Sequence, residues 1–156
     1  YFNHEVGTAL GVARKPLDEL LGESDFVSVH APLTDQTRGM IGYRELCAMK
    51  PTAYIINTAR GGIVREADLA RALSEGHLAG AALDVFENER PDPSSPLLRM
   101  ENTLLLPHLA SYTAESLGAV SIVAARTVLD YLRTGTCANL IVSPAGGGAA
   151  ATDAHR

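Results

Sequence analysis

The sequence predicts an α/β domain built on a doubly wound parallel sheet. Four short apolar runs, rich in β-branched and aromatic residues, alternate with stretches whose apolar residues recur at helical spacing. Each run is nearly continuous in its apolar character, which is typical of strands buried on both faces. Together these patterns predict βαβ units that form a parallel sheet with helices on both of its faces.

Turn-forming residues bound the first two apolar runs. The first run lies between Asp25 and Pro32, and the second follows Pro51 and closes at Asn57. Two further runs have the same character. The predicted strands therefore cover residues 26–30, 53–57, 81–86 and 103–106.

Helical periodicity marks four other segments. Pro16 favours a helix start, and Gly76 and Gly135 are expected stops. The predicted helices cover residues 17–21, 43–49, 66–75 and 113–134, the last being an amphipathic helix of about six turns. Residues 144–156 are rich in glycine and alanine and have little to bury, so they are predicted to be a disordered tail.

Composition and charge exclude several classes of function. The net charge is −5 and the basic residues form no stripe, so nucleic-acid binding is not expected. Cys47 and Cys137 lack the spacing of a metal site or a disulfide framework, which predicts no metal and favours a cytoplasmic location. No apolar run reaches the roughly 18 to 20 residues that span a bilayer, so no membrane partner is expected. Residues 1–5 do not resemble a signal peptide.

An arginine follows the second predicted strand. Ligands of open parallel sheets bind at the carboxyl ends of the strands, so residues in such places are candidates for function. Gly61 and Gly62 come directly after Arg60 and let the backbone turn tightly and approach a ligand. A planar guanidinium can hold both oxygens of a carboxylate. Alone, this segment is equally compatible with a surface arginine in a glycine turn.

The third and fourth predicted strands lead to acids and to a histidine. Asp84 interrupts the third run, and Glu89 follows five residues later. An acid at a strand end seldom lacks a partner. His108 comes directly after the fourth strand, where a substrate could reach it. A single histidine is more often structural than catalytic, so the functional prediction depends on the joint pattern.

Four motifs in order carry a family resemblance. They are SDFVSVHAPLTDQTRGMIG, MKPTAYIINTARGGIV, LAGAALDVFENE and NTLLLPHLAS, and the match around them covers nearly everything from Leu17 to Asn139. In these motifs the chain resembles the D-isomer-specific 2-hydroxyacid dehydrogenases. The resemblance implies a Rossmann-like fold and hydride transfer between a nicotinamide cofactor and a small 2-oxo or 2-hydroxy acid.

The resemblance also implies roles for individual residues. Arg60, Glu89 and His108 match the family's catalytic set, in which the arginine binds the substrate carboxylate. Asp84 matches the aspartate that holds the nicotinamide carboxamide. The other positions expected at the cofactor are Asn3, Ala31, Pro32, Thr58, Ala59, Arg60, His108 and Ser111.

General chemistry is consistent with these roles. Reduction of a 2-oxo acid needs a proton on the carbonyl oxygen, which the imidazolium of His108 can supply near neutral pH. A carboxylate beside it, Glu89, would favour the protonated ring and orient it. Arg60 would fix the substrate and stabilise charge on the oxygen.

The family's Gly-rich pyrophosphate turn and its substrate lobe are not found in this sequence, so we expect a truncated domain that lacks the first βα unit. Residues 1–112 are expected to be the second part of the NAD-binding domain. Residues 113–143 would form the helix and segment that lead back to the substrate domain. Asn3 stands where an acid would accept hydrogen bonds from the adenine ribose; no arginine adjoins it, so NAD is favoured and NADP is the alternative.

Two classes of function remain open at this point. The first is the dehydrogenase, expected to act as a homodimer on a small 2-oxo or 2-hydroxy acid. The second is a dinucleotide-sensing, corepressor-like binding protein, since corepressors similar to these dehydrogenases keep the same three residues. Turnover of glyoxylate or hydroxypyruvate would favour the enzyme, and cofactor-dependent partner binding without turnover would favour the sensor.

Overall fold

The computed structural model of the chain describes residues 4–137, with side chains from residue 7 onward. The cofactor position predicted at Asn3 and the tail predicted at residues 144–156 lie outside the described residues. The chain divides into two compact units, with the boundary between Ala110 and Ser111.

A four-stranded parallel sheet lies at the centre of the first unit, and its strands are arranged in chain order. They are β1 (Phe26–Val29), β2 (Tyr54–Asn57), β3 (Gly80–Leu83) and β4 (Thr103–Leu105). Each pairing is parallel, so the carboxyl ends of the strands lie along one edge. The predicted α/β fold with a parallel, Rossmann-like sheet is confirmed.

Helices occupy the segments between and around the strands. They are α1 (His4–Ala9), α2 (Leu17–Glu23), α3 (Tyr43–Cys47), α4 (Glu66–Ser74), a short 3₁₀ helix (Pro96–Arg99) and α5 (Ala114–Thr134). Gly76 and Gly135 adopt left-handed backbones, with φ of 77° and 69°, just after α4 and α5, as predicted. The α1 and 3₁₀ helices were not among the predicted helices.

One face of the sheet carries the hydrophobic core. Val27, Ile55 and Leu83 are buried on this face, and their side chains belong to one cluster with the buried stripe of α4, which includes Leu69 and Leu73. This stripe follows the helical spacing that predicts α4. The core therefore fixes β2, β3 and α4 relative to one another.

The opposite face of the sheet is open within the described residues. The side chains of Phe26, Leu104 and Tyr54 are 70%, 59% and 44% exposed, and the rings of Phe26 and Tyr54 stack with their centroids 5.5 Å apart. The described part of the chain therefore leaves these side chains of the sheet uncovered. An apolar run predicts that a face is buried, but it does not identify the segment that buries it.

The prediction of a strand over residues 81–86 is also wrong at both ends. β3 begins at Gly80 and ends at Leu83. The backbone N–H of Asp84 still donates to the carbonyl of Asn57, at 3.0 Å, but Val85 then turns away from the ladder and remains buried. The continuous apolar character of this run reflects burial and not strand pairing.

The second unit contains α5. Thr113 caps the helix by accepting the N–H of Ser116 at 3.1 Å, and Gly135 ends it, so the helix matches the prediction to within one residue. Its apolar side chains are exposed, with Val120 at 65% and Leu132 at 75%. No helix in the described part of the chain is long and apolar enough to cross a membrane.

Candidate functional site

The three predicted catalytic residues follow three neighbouring strand ends. Arg60 lies beyond β2, Glu89 beyond β3 and His108 beyond β4, and the register of the sheet places these strand ends side by side. All three side chains are exposed. Among the described residues, no hydrogen bond or ion pair joins any two of the three. The fold thus brings their loops to one edge of the sheet and leaves their polar side-chain groups accessible.

A buried amide holds the loop that carries Arg60. Asn57 is 2% exposed; its Nδ2 donates to the carbonyl of Arg60 at 3.0 Å, and its Oδ1 accepts the N–H of Ala59 at 3.1 Å. The Arg60 guanidinium donates from Nη1 to the carbonyl of Ala59 at 2.7 Å and has no carboxylate partner in the described chain. Its remaining N–H groups are therefore free for an anionic ligand.

A buried carboxylate holds the loop that carries His108. Asp84 is 2% exposed; its Oδ1 accepts the N–H of Leu109 at 2.6 Å, and its Oδ2 accepts the N–H of Ala110 at 2.7 Å. These are short charge-assisted bonds. The backbone N–H of Asp84 also donates to the carbonyl of Asn57. Asp84 therefore connects the ends of β2 and β3 to the loop beyond β4.

Glu89 and His108 share an unusual backbone conformation. They are the non-glycine residues with positive φ in the described chain, at 56° and 60°. The left-handed region costs a residue with a Cβ on the order of 1 kcal/mol or more, and such residues cluster at functional sites. The N–H of Glu89 donates to the carbonyl of Phe86 at 3.3 Å, which closes a tight turn.

The loops beyond β2 and β3 are in direct contact through their backbones. A Cβ atom at Gly61 would lie 1.9 Å from the carbonyl oxygen of Phe86, so no side chain fits there. Gly62 adopts φ of 80°, which also favours glycine. The two glycines predicted to allow close approach therefore bring the Arg60 loop against the turn that ends at Glu89.

The predicted cofactor positions lie on the same edge of the sheet where the structure describes them. Ala31 and Pro32 come just after β1, and Thr58 and Ala59 just after β2; these two strand ends are adjacent. The hydroxyl of Thr37 donates to the carbonyl of Pro32 at 2.6 Å and holds its loop. Asn3 lies outside the described residues. Ser111 begins the second unit and is exposed, and its role stays a prediction.

The nicotinamide end of a dinucleotide fits these residues. Each Asp84 oxygen accepts one backbone N–H, and a carboxylate oxygen can accept two hydrogen bonds, so capacity for a carboxamide N–H remains. Thr58 and Ala59 are half-buried and add no charge that would oppose an aromatic ring.

Sequence reasoning missed three residues that shape the site. Asn57 was recognised only as a turn former, although a polar residue that ends an apolar strand before a glycine loop is a signal of its role. Glu66 and Glu87 exchange hydrogen bonds with each other's backbone, and their separation of 21 residues leaves no local pattern to find.

Comparison with known proteins agrees with this geometry. Residues 2–110 match the family model described as D-isomer specific 2-hydroxyacid dehydrogenase, NAD binding domain. A glyoxylate reductase from Korarchaeum cryptofilum is 46% identical over 132 residues, which are 85% of this chain and 40% of that protein. A D-3-phosphoglycerate dehydrogenase from Archaeoglobus fulgidus is 38% identical over 133 residues, which are 85% of this chain and 25% of that protein. The chain thus spans less than half of these relatives.

Solved structures show the same relation. The D-isomer specific 2-hydroxyacid dehydrogenase from Lactobacillus delbrueckii ssp. bulgaricus, in its NAD-complexed form, superposes with a TM-score of 0.79 at 32% identity and covers 87% of this chain and 45% of that chain. The D-lactate dehydrogenase from Aquifex aeolicus, complexed with NAD and lactic acid, gives 0.78 at 33% identity, with coverages of 85% and 44%. Because the family model matches well over half of it, the chain belongs to the D-isomer specific 2-hydroxyacid dehydrogenase family.

Proposed function

We propose that the complete protein containing this chain is an oxidoreductase that transfers a hydride between a nicotinamide cofactor and a small 2-oxo or 2-hydroxy acid. One observation carries the proposal: the left-handed, non-glycine residues of the described chain are Glu89 and His108, which lie at neighbouring strand ends beside Arg60. The names of the relatives, glyoxylate reductase and D-3-phosphoglycerate dehydrogenase, support the same substrate class.

Arg60 is the substrate anchor in this proposal. Its guanidinium can donate two parallel N–H groups to the carboxylate of a 2-oxo acid. Such a bidentate contact fixes the plane of the acid and therefore the face of the carbonyl that meets the cofactor. The nearby positive charge also stabilises negative charge that develops on the carbonyl oxygen.

His108 is the proton donor for reduction and the proton acceptor for oxidation. The bound nicotinamide supplies or accepts the hydride, and the imidazole handles the proton on the substrate oxygen. Glu89 is the carboxylate that orients the ring and favours its protonated form. Both residues have left-handed backbones, a conformation that clusters at functional sites.

We infer that NAD is the cofactor, with Asp84, Thr58 and Ala59 at the nicotinamide end and NADP as the alternative. The family's NAD binding domain and the NAD-complexed relatives support this assignment. We also infer a homodimer, supported by the exposed apolar side chains of α5, and a cytoplasmic location, supported by two free cysteines at positions 47 and 137.

Two substitutions in the complete protein test the proposal. His108→Ala should lower kcat for NADH-dependent reduction of glyoxylate or hydroxypyruvate by about two to four orders of magnitude, because it removes the acid catalyst. Arg60→Ala should raise KM and also lower kcat. The matched control is His77→Ala, a partly exposed histidine of the first unit, which should stay near wild type.

Absence of 2-oxo acid turnover in the wild-type protein would contradict the enzyme proposal. Cofactor-dependent capture of a protein partner without turnover would instead support the corepressor-like alternative. Near-normal activity of His108→Ala would remove the assigned proton donor.

A further inference from the structure

Two glutamates outside the proposed catalytic set exchange hydrogen bonds with each other's backbone. Glu87 lies in the turn that leads from β3 to Glu89, and Glu66 is the first residue of α4. Oε1 of Glu87 accepts the backbone N–H of Glu66 at 2.9 Å, and Oε1 of Glu66 in turn accepts the backbone N–H of Glu87. The pair therefore fastens the Glu87 turn to the start of α4.

This exchange replaces a local helix cap. The first N–H groups of a helix have no partner within it, and a side chain at the N-cap usually accepts from one of them. The N-cap residue of α4 is Arg65, whose side chain makes no such bond. Glu87 supplies the acceptor from 21 residues away, so the start of α4 and the turn beyond β3 are stabilised together.

The turn is also held on a second side. The backbone of Gly61 lies so close to Phe86 that a Cβ would be 1.9 Å from its carbonyl oxygen. The same carbonyl accepts the N–H of Glu89 at 3.3 Å. The four-residue turn from Phe86 to Glu89 is thus held at two points. Its first residue, Phe86, contacts the Arg60 loop, and its second, Glu87, bonds to the start of α4. The turn ends at Glu89, which has a left-handed backbone.

The pair carries an electrostatic penalty. Burial raises the pKa of Glu66, and the negative charge of Glu87 raises it further, while the bond from the Glu87 backbone lowers it. Two carboxylates held together in this way are a poor choice for stability alone. Their contact at the turn that leads to Glu89 fits the general tendency of functional sites to hold locally unfavourable arrangements.

We propose that Glu66 and Glu87 are positioning residues that set the conformation of the Glu89 turn and act on the reaction only through Glu89. The inference rests on the proposed dehydrogenase function. Loss of either bond should let Glu89 leave its left-handed conformation, so that its carboxylate no longer supports the protonated His108. Reduction should then fail first at high pH, where the proton on His108 is hardest to keep.

The test measures single-turnover hydride transfer from NADH to glyoxylate as a function of pH in the complete protein. Glu87→Ala should slow transfer about threefold to tenfold at pH 8 and move the alkaline fall of the rate toward acid by about half a pH unit. Glu87→Gln should restore most of the rate, because its amide oxygen can still accept the N–H of Glu66. Glu66→Ala removes the other bond and should reproduce the effect of Glu87→Ala.

A double-mutant cycle with Glu89→Gln separates positioning from general stability. If Glu87 acts through Glu89, adding Glu87→Ala to Glu89→Gln should cause no further loss. Asp92→Ala is the matched control, because Asp92 also accepts a backbone N–H, that of Ser94 at 2.8 Å, in the same connection but within its own segment. Its pH profile should match wild type, and melting temperatures of all variants report any loss of folding.

The outcomes are distinguishable. The inference is overturned if Glu87→Ala lowers the hydride-transfer rate as much in the Glu89→Gln protein as in the wild type. It is also overturned if Asp92→Ala lowers that rate as much as Glu87→Ala does. A shifted profile in Glu89→Gln with none in Glu87→Ala and Glu66→Ala overturns the inference alone. An unchanged profile in Glu89→Gln overturns the role proposed for Glu89, and the inference with it.

Discussion

Two buried polar side chains hold the loops of Arg60 and His108 in different ways. Asn57 and Asp84 are the buried polar residues of the described chain, and they lie at the ends of neighbouring strands. The side chain of Asn57 is neutral and bonds to residues two and three positions further along its own loop. Asp84 is acidic and bonds to residues 25 and 26 positions away, in the loop of His108.

The difference shows how each loop acquires its shape. The Arg60 loop is specified within one short segment, because the residue that holds it also begins it. The His108 loop depends on a residue of the adjacent strand, so it takes its shape only after β3 and β4 have paired. Damage to the sheet should therefore disturb proton transfer before it disturbs substrate binding.

The largest effect is expected for Asp84. Asp84→Ala should destabilise the complete protein by about 3 kcal/mol, because two buried N–H groups lose bonds to a charged acceptor. Asp84→Asn should destabilise the protein less than Asp84→Ala, because the amide oxygen can still accept one of the two N–H groups. Both should lower the single-turnover hydride-transfer rate at saturating NADH by more than about tenfold, because the His108 loop loosens.

Denaturant unfolding and stopped-flow measurements at saturating NADH would check this prediction. The control is Asp130→Asn, which replaces an exposed aspartate of α5 and should leave stability and rate unchanged. If Asp84→Asn only weakened NADH binding and kept the normal transfer rate, Asp84 would serve the cofactor and not the His108 loop.

Part of this site is predictable from the sequence, and part is not. Arg60 and His108 follow strands that can be predicted, because short apolar runs and glycine turns are local signals. The bond pattern of Asp84 is not, because its partners become neighbours only through strand pairing. Tyr54 illustrates the same limit. The apolar run that contains it predicts burial, but the ring of Tyr54 is exposed on a sheet face that the described chain does not cover.

A smaller and different effect is expected for Asn57. Asn57→Ala should destabilise the protein by about 1 to 2 kcal/mol, because the lost bonds are neutral and their backbone partners lie in a half-buried loop. Since the loop carries Arg60, the change should raise KM for glyoxylate several-fold more than it lowers kcat. Steady-state kinetics would test this. If Asn57→Ala lowered kcat as much as Asp84→Asn does and left KM unchanged, the proposed difference between the two loops would be contradicted.

The smallest effect concerns Glu66, a half-buried carboxylate that holds a backbone N–H as Asp84 does. Burial raises its pKa in the folded protein above the ordinary value of 4.5. A raised acid pKa means that the folded state binds the proton more tightly, so stability is full below the unfolded pKa and decreases as pH rises through the folded pKa.

Glu66→Gln keeps an acceptor for the Glu87 N–H and removes the charge. Its melting temperature should therefore exceed that of wild type at pH 7 by about 1 to 2 °C and match it near pH 4. A difference that is the same at both pH values would show that the charge of Glu66 is not its cause, and a lower melting temperature at pH 7 alone would show that this charge stabilises the fold.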